Sequence, residues 1–186
     1  MRIVAGTHRG RRITAPAGRG TRPTSDRVRE SMFALVGAVD GLRVLDLFAG
    51  SGALGLEALS RGAGEVTFVD RDPDAAAAIR RNTGILDDTE PVRIVRDDWR
   101  RAVERERRRG AVFGLCLVDP PYSLLPRISQ DLPTVLAPIL DTRAIIVVEG
   151  AREHDAIAFP ETSVVDRTDR EYGGTRVSVI RIDQSR

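Results

Sequence analysis

Two short motifs in this chain carry the residue types best suited to chemistry. Residues 44–55 read Val-Leu-Asp-Leu-Phe-Ala-Gly-Ser-Gly-Ala-Leu-Gly, with a G-x-G-x-x-G pattern at Gly50, Gly52 and Gly55. Glycines at this spacing permit a tight turn and a close approach of the backbone to a ligand at a helix N-terminus. The pattern predicts a nucleoside cofactor loop, and taken alone it fits a dinucleotide equally well. The second motif, Asp-Pro-Pro-Tyr, occupies residues 119–122.

Two carboxylates accompany the glycine loop. Asp70 ends the strand predicted over residues 65–70, where an acid is expected to hold ribose hydroxyls. Asp46 lies within the strand predicted over residues 42–48, although burial on both faces favours apolar residues. Its carboxylate can cap loop amides, accept from a cationic amino group such as that of S-adenosylmethionine, or do both, whereas it would repel a pyrophosphate. The predicted cofactor-binding residues are Asp46, Phe48, Ala49, Gly50, Ser51, Gly52, Asp70 and Arg71.

The Asp-Pro-Pro-Tyr motif follows an apolar strand at residues 113–118, on the edge where open α/β sheets bind ligands. The exocyclic amino nitrogen of guanine, adenine or cytosine is a poor nucleophile while its lone pair is delocalised. We expect the Asp119 carboxylate and the Pro120 carbonyl to accept its two hydrogens and to aim the lone pair at a methyl group. Pro121 stiffens the turn, and Tyr122 is expected to stack on the base. The same four residues also fit an ordinary turn.

The elements that must position these motifs alternate between strand and helix. Helices are predicted from near Ser25 and over residues 53–61, 100–109 and 128–140, the last interrupted or bounded by prolines. The chain ends in a predicted antiparallel hairpin, which suits a methyltransferase sheet better than a dehydrogenase. The predicted strands are residues 42–48, 65–70, 92–95, 113–118, 144–148, 163–170 and 175–182.

Basic charge is concentrated at the N-terminus. Residues 1–30 hold eight arginines against two acids, a net charge of +6 in a chain whose total is +2. Residues 2–14 contain two β-prone runs joined through glycines, which predicts a hairpin that grips RNA, with a disordered basic tail as the alternative. We expect an RNA-binding extension over residues 1–24 and a methyltransferase domain over 25–186. The predicted RNA-binding residues are Arg2, His8, Arg9, Arg11, Arg12, Arg22 and Arg27.

Composition sets further expectations. The single cysteine, Cys116, lies in an apolar strand and is expected to pack in the core, with no disulfide and no metal role. With only two histidines, a histidine metal site is not expected. No eighteen-residue apolar run and no signal segment is visible, so a cytoplasmic protein without membrane contact is expected. We assume a monomer.

The chain resembles the RsmD family of small-subunit ribosomal RNA (guanine-N2)-methyltransferases over nearly its full length. The glycine-loop stretch and the N-terminal arginine motifs are specific to that family, whereas Asp-Pro-Pro-Tyr is shared with many amino-methylating enzymes. The residues that carry the resemblance are 2–6, 9–11, 22–24, 26–30, 46–63 and 119–122.

The resemblance implies a Rossmann-like class I fold with a seven-stranded, mostly parallel sheet and S-adenosylmethionine as the donor. It implies guanine N2 of 16S rRNA, in a small ribosomal subunit or an assembly intermediate, as the target. It also implies an acid at the cofactor's adenine amino group, for which Asp98 fits the spacing better than Asp97. Trp99 is expected to fill a sheet-helix interface or to pack on the adenine. The alternatives are a DNA adenine or cytosine amino-methylase and a non-catalytic RNA-binding assembly protein.

Overall fold

One sheet organises the chain. The computed structural model describes residues 1–16, 25–84, 86, 91–153, 157–160 and 163–185. The strands within these ranges are β1 (Arg43–Leu47), β2 (Glu65–Asp70), β3 (Val92–Arg96), β4 (Phe113–Val118), β5 (Leu140–Ala151), β6 (Val164–Tyr172) and β7 (Thr175–Ile182). They pair in the order β3-β2-β1-β4-β5-β7-β6.

The sheet is parallel from β3 to β5 and antiparallel beyond it. β7 runs against β5, and β6 runs against β7. The predicted Rossmann-like fold with a C-terminal antiparallel hairpin is therefore confirmed. Because β1 and β4 are neighbours, the segments that follow them leave the same edge of the sheet side by side. This topology brings the two sequence motifs together.

Helices cover both faces of the sheet. The first helix, α1 (Asp26–Val36), begins after Ser25, whose side chain accepts from the amide of Val28 at 3.3 Å and so caps the helix. The helix predicted over residues 128–140, interrupted or bounded by prolines, is indeed interrupted: a short helix over Leu132–Leu136 is followed by a 3-10 turn over Ala137–Ile139, and Pro133 and Pro138 lie near their starts. No helix in the described ranges has the length and apolar character needed to cross a membrane. The helices are α1 (Asp26–Val36), α2 (Ala53–Ser60), α3 (Pro73–Thr83), α4 (Trp99–Arg108), α5 (Leu125–Ile128) and α6 (Leu132–Leu136), followed by a 3-10 turn (Ala137–Ile139).

The core divides into two apolar clusters, one on each face. Successive side chains of a strand point to opposite faces, so Leu45 and Leu47 join the cluster beneath α4 while Val44 joins the cluster beneath α1 and α2. Cys116 is buried in the α4 cluster, which confirms its packing role, and burial raises the pKa of its thiol. Trp99 packs in the same cluster, which confirms that it fills a sheet-helix interface.

The N-terminal arm, defined here as residues 1–16, folds back on itself and docks on α2. Its two runs meet in an antiparallel bridge between Arg2 and Arg12, as the hairpin prediction requires. Ile3 is buried in the same cluster as the apolar face of α1. The buried carboxylate of Glu57 accepts from the amides of Val4 and Ala5 at 2.7 and 3.0 Å. The arm is therefore an ordered part of the fold and not a disordered tail.

Candidate active site

A cavity of about 490 Å³ opens at the carboxyl edge of the parallel strands. Its size is ordinary for a pocket that holds a small molecule. Most of the predicted cofactor residues and all four residues of the Asp-Pro-Pro-Tyr motif line it together. The wall also contains residues that carried no prediction. The lining residues are Met1, Ala15, Pro16, Asp46, Phe48, Ala49, Gly50, Ser51, Ala53, Leu54, Asp70, Arg71, Asp72, Ala75, Asp119, Pro120, Pro121, Tyr122, Leu124 and Glu149.

Asp46 is the most deeply buried acid of the cavity wall, with 1% of its surface exposed. Its Oδ2 accepts from the amide of Gly55 at 2.9 Å, and its Oδ1 is buried without a hydrogen-bond partner among the described residues. Burial raises the pKa of Asp46 to about 7, against the lowering effect of the Gly55 amide and with a smaller raising effect from the charge of Asp70. One oxygen thus caps the glycine loop, and the other can receive a cationic donor.

The glycines of the loop serve two different purposes. A Cβ on Gly55 would lie 2.3 Å from the ring of Phe68, so this glycine lets α2 pack closely on the sheet. Gly50 has φ 55° and lines the cavity, and a Cβ there would only reach ordinary contact with the Phe48 carbonyl oxygen at 3.9 Å, so its backbone is accessible from the cavity. Phe48 also has a positive φ of 61°, an uncommon conformation for an aromatic residue. Gly52 caps α2 in the left-handed conformation and does not itself line the cavity.

Asp70 stands at the end of β2 and links the glycine loop to the next turn. Its Oδ2 accepts from the amide of Gly50 and its Oδ1 from the amide of Asp72, both at 2.9 Å. An ionised carboxylate offers about four acceptor positions, so both oxygens keep capacity for ribose hydroxyls. The placement fits the predicted ribose role. Arg71, beside it, also lines the cavity.

The acidic pair after β3 lies elsewhere. Asp98 caps α4 by accepting from the amide of Arg100 at 3.0 Å, and Asp97 pairs with Arg105 at 2.8 Å. Neither acid is part of the cavity wall. The structure thus gives Asp98 a capping function, and its role at an adenine stays a prediction.

The Asp-Pro-Pro-Tyr turn lines the same cavity, directly after β4. The amide of Asp119 donates to the carbonyl of Leu47 at 3.4 Å, which ties the start of the turn to the end of β1. The Tyr122 hydroxyl forms a 2.7 Å hydrogen bond with Thr175 Oγ1 at the start of β7. Because both ends are anchored and the prolines fix the backbone between them, the turn is a stiff platform. This is the property that the predicted role requires.

Two features of the cavity carried no prediction. The first is Glu149, a carboxylate on β5 with 5% of its surface exposed. The available signal was an acid directly after the all-apolar run 144–148. The second is Asn82 of α3, whose side-chain amide donates to the carbonyls of Thr14 and Ser51, both at 2.8 Å. It joins the N-terminal arm to the glycine loop, so that Ala15 and Pro16 complete the wall.

The predicted RNA-binding residues fall into three groups. Five of them have exposed side chains, and together these are called the N-terminal face: Arg2, Arg9, Arg11, Arg12 and Arg27. His8 is only 3% exposed and packs against the end of α2, so it does not offer its ring to an RNA surface. Arg22 lies outside the described residues.

The strand order defines a Rossmann-like class I methyltransferase fold, and the glycine loop and the acids at the carboxyl edge of the sheet agree with it. A family described as Conserved hypothetical protein 95 matches residues 1–181. The chain belongs to this family, the RsmD family of rRNA methyltransferases. The prediction made from the sequence motifs is confirmed, and the dinucleotide alternative is set aside.

Individual relatives agree with this assignment. The chain is 39% identical to Bacillus subtilis YlbH, provisionally named as an rRNA methyltransferase, over 97% of this chain and 98% of that protein. It is 38% identical to the Escherichia coli ribosomal RNA small subunit methyltransferase D, over 66% of this chain and 60% of that protein. The solved structure of Escherichia coli yhhF, provisionally described as a methyltransferase, matches with a TM-score of 0.82 at 30% identity, covering 98% of both chains.

Proposed function

We propose that this protein transfers a methyl group from S-adenosylmethionine to the exocyclic N2 amino group of a guanine in 16S rRNA. The observation that carries the proposal is one cavity with two unlike ends. Asp46 presents a buried oxygen at one end, and the Asp-Pro-Pro-Tyr turn forms the other. The relatives named above support ribosomal RNA as the class of target.

The cofactor end fits S-adenosylmethionine. The Oδ1 of Asp46 is a buried acceptor in need of a partner, and the cationic amino group of the cofactor would supply one and favour the ionised carboxylate. Asp70 would take the ribose hydroxyls, while the open face of Gly50 admits the ligand against the backbone. When bound there, the cofactor supplies a methyl group on a positively charged sulfur.

The target end positions the nucleophile. Asp119 and the Pro120 carbonyl would accept the two amino hydrogens, so that the nitrogen lone pair turns out of conjugation and toward the methyl carbon. The N–C bond forms as the S–C bond breaks, in line and in a single displacement. The positive charge that develops on nitrogen is stabilised by the Asp119 carboxylate. The extra proton is then acidic and leaves to water, so no strong general base is required.

The N-terminal face would hold the RNA beside this cavity. Arg9, Arg11 and Arg12 are exposed on the arm that forms part of the cavity wall. Guanidinium groups bind phosphates through charge and paired hydrogen bonds, which would seat the backbone while the target base enters the cavity. We include residues 1–24 as the RNA-binding extension, with the protein acting as a cytoplasmic monomer.

Transfer of labelled methyl from S-adenosylmethionine tests the proposal. Unmodified small ribosomal subunits, naked 16S rRNA and duplex DNA are assayed in parallel, with fully methylated subunits as the matched control. We expect label in N2-methylguanosine from unmodified subunits or rRNA and none from the control. Label in DNA would replace the target with a DNA base. No label anywhere, despite cofactor binding, would favour a non-catalytic assembly protein.

A further inference from the structure

One buried acid of the cavity has no part in the chemistry described above. Glu149 lies on β5, one residue after Val148, which is in register with Val118 of β4. Asp119 follows Val118, so the two acids occupy equivalent positions along neighbouring segments of the sheet. We propose that Glu149 is the residue that selects guanine, by accepting the N1–H of the target base. This inference rests on the proposed function.

The strand order places Glu149 on the target side of the cavity. Along the carboxyl edge of the sheet the acids follow one another as Asp70 on β2, Asp46 on β1, Asp119 after β4 and Glu149 on β5. Neighbouring strands are about 4.8 Å apart, so Glu149 stands roughly 10 Å from Asp46 and beside Asp119. The cofactor acids and the target acids therefore occupy opposite halves of the wall.

Side chains alternate between the two faces of the sheet along β5, and this alternation directs the Glu149 side chain toward the same face as Asp46. Val147, two residues before Glu149, belongs to the apolar cluster beneath α1 and α2. Asp46 points to the same face, because it accepts from the amide of Gly55 in α2. The two acids thus flank one cavity on one side of the sheet.

The chemistry of the base edge explains why a second acid is needed for guanine. Guanine presents three adjacent donors, two on N2 and one on N1. Asp119 and the Pro120 carbonyl use the two N2 hydrogens, which leaves N1–H. A carboxylate oxygen accepts hydrogen bonds, so Glu149 matches that donor. In adenine and cytosine the ring nitrogen beside the amino group is itself an acceptor, and its lone pair would face the Glu149 carboxylate. That repulsion excludes both bases.

The test compares guanine with 2-aminopurine at the methylated position of otherwise identical RNA. 2-Aminopurine keeps the 2-amino group but presents an acceptor at N1. We expect the wild-type protein to prefer guanine strongly in kcat/KM, and Glu149→Gln to reduce that preference by at least roughly tenfold, since an amide can donate to the N1 lone pair. Glu149→Asp, which keeps the acceptor, should retain the preference at a lower rate.

Two controls separate selection from folding. Glu65 is the first residue of β2, at the end of the strand away from Asp70, and pairs with Arg43. Glu65→Gln should leave the rates with guanine and with 2-aminopurine unchanged. Affinity for S-adenosylhomocysteine should be the same in the wild-type protein and all three variants. An unchanged guanine preference in Glu149→Gln, or a parallel loss of S-adenosylhomocysteine affinity, would overturn the role of Glu149 alone. Methylation of adenine or cytosine by the wild-type protein would overturn the proposed function as well.

Discussion

Asp46 Oδ2 accepts from the Gly55 amide at 2.9 Å, while Asp46 Oδ1 has no partner among the described residues. The first oxygen orders the start of α2, and the second is available to a ligand. Asp46→Asn keeps an oxygen for the Gly55 amide but removes the charge. We therefore expect affinity for S-adenosylhomocysteine to fall about 10-fold to 100-fold, the range for losing one charge-assisted hydrogen bond.

Isothermal titration calorimetry measures this change. Asp72→Asn serves as the matched control, because Asp72 also lines the cavity but is used to cap α3. Equal affinity in the wild-type protein and Asp46→Asn would show that Asp46 serves the loop alone.

The raised pKa of Asp46 makes the stability of the ligand-free protein depend on pH. The unfolded chain releases this proton near pH 4, whereas the folded protein holds it until about pH 7. The unfolded state therefore binds fewer protons in this window, and the free energy of unfolding falls as pH rises through it.

Urea denaturation of the wild-type protein and Asp46→Asn at pH 5 and pH 8 isolates this effect. Relative to the variant, the wild-type protein should lose roughly 2–3 kcal/mol of unfolding free energy between the two pH values. A difference between the two proteins that is the same at both pH values would contradict the assigned pKa.

Asn82 is predicted to couple the N-terminal arm to the cofactor loop. It accepts from the Thr14 amide at 2.9 Å and donates to the carbonyls of Thr14 and Ser51. Asn82→Ala leaves these buried groups unsatisfied, so the free energy of unfolding should fall by about 1–3 kcal/mol. Hydrogen exchange at the Thr14 amide should accelerate, and affinity for S-adenosylhomocysteine should weaken. Thr83→Ala, at the neighbouring half-buried position of α3, is the control. Full protection of Thr14 in Asn82→Ala would refute the coupling.

The exposed arginines of the arm are predicted to contact phosphates. Neutralising Arg9, Arg11 and Arg12 together with glutamine should weaken RNA binding and reduce the slope of log affinity against log salt by up to about 3. The matched control neutralises three exposed arginines of α4, on the other face of the sheet, and should leave the slope unchanged. Equal effects of the two triple variants would mean that only net charge matters. The control positions are Arg101, Arg105 and Arg108.

Much of the fold and the part of the cavity lined by the glycine loop could be predicted because their signals are local. The G-x-G-x-x-G spacing, the acid inside β1 and the acid ending β2 each identify a position within one strand-loop-helix unit. Parallel strands then bring Asp46, Asp70 and Asp119 to one edge without further information. The same logic predicted the burial of Cys116 and Trp99.

The remaining features depend on contacts between distant segments. Glu57 and Asn82 hold the arm through bonds that span more than fifty residues, and no local pattern indicates them. Glu149 becomes informative only when the register of β4 with β5 places it beside Asp119. Asp98 caps the start of α4, a local function that no prediction assigned to it, and its role at an adenine stays a prediction.

Asp119 is proposed to activate a guanine amino group for methylation. The most direct measurement is nucleoside analysis of small-subunit rRNA after reaction with the wild-type protein or Asp119→Ala, together with the S-adenosylhomocysteine affinity of each. We predict N2-methylguanosine from the wild-type protein, a loss of kcat of about 100-fold to 1,000-fold in the variant, and cofactor affinity within a few-fold. Equal weakening of turnover and cofactor affinity, or a methylated nucleoside other than N2-methylguanosine, would contradict this role.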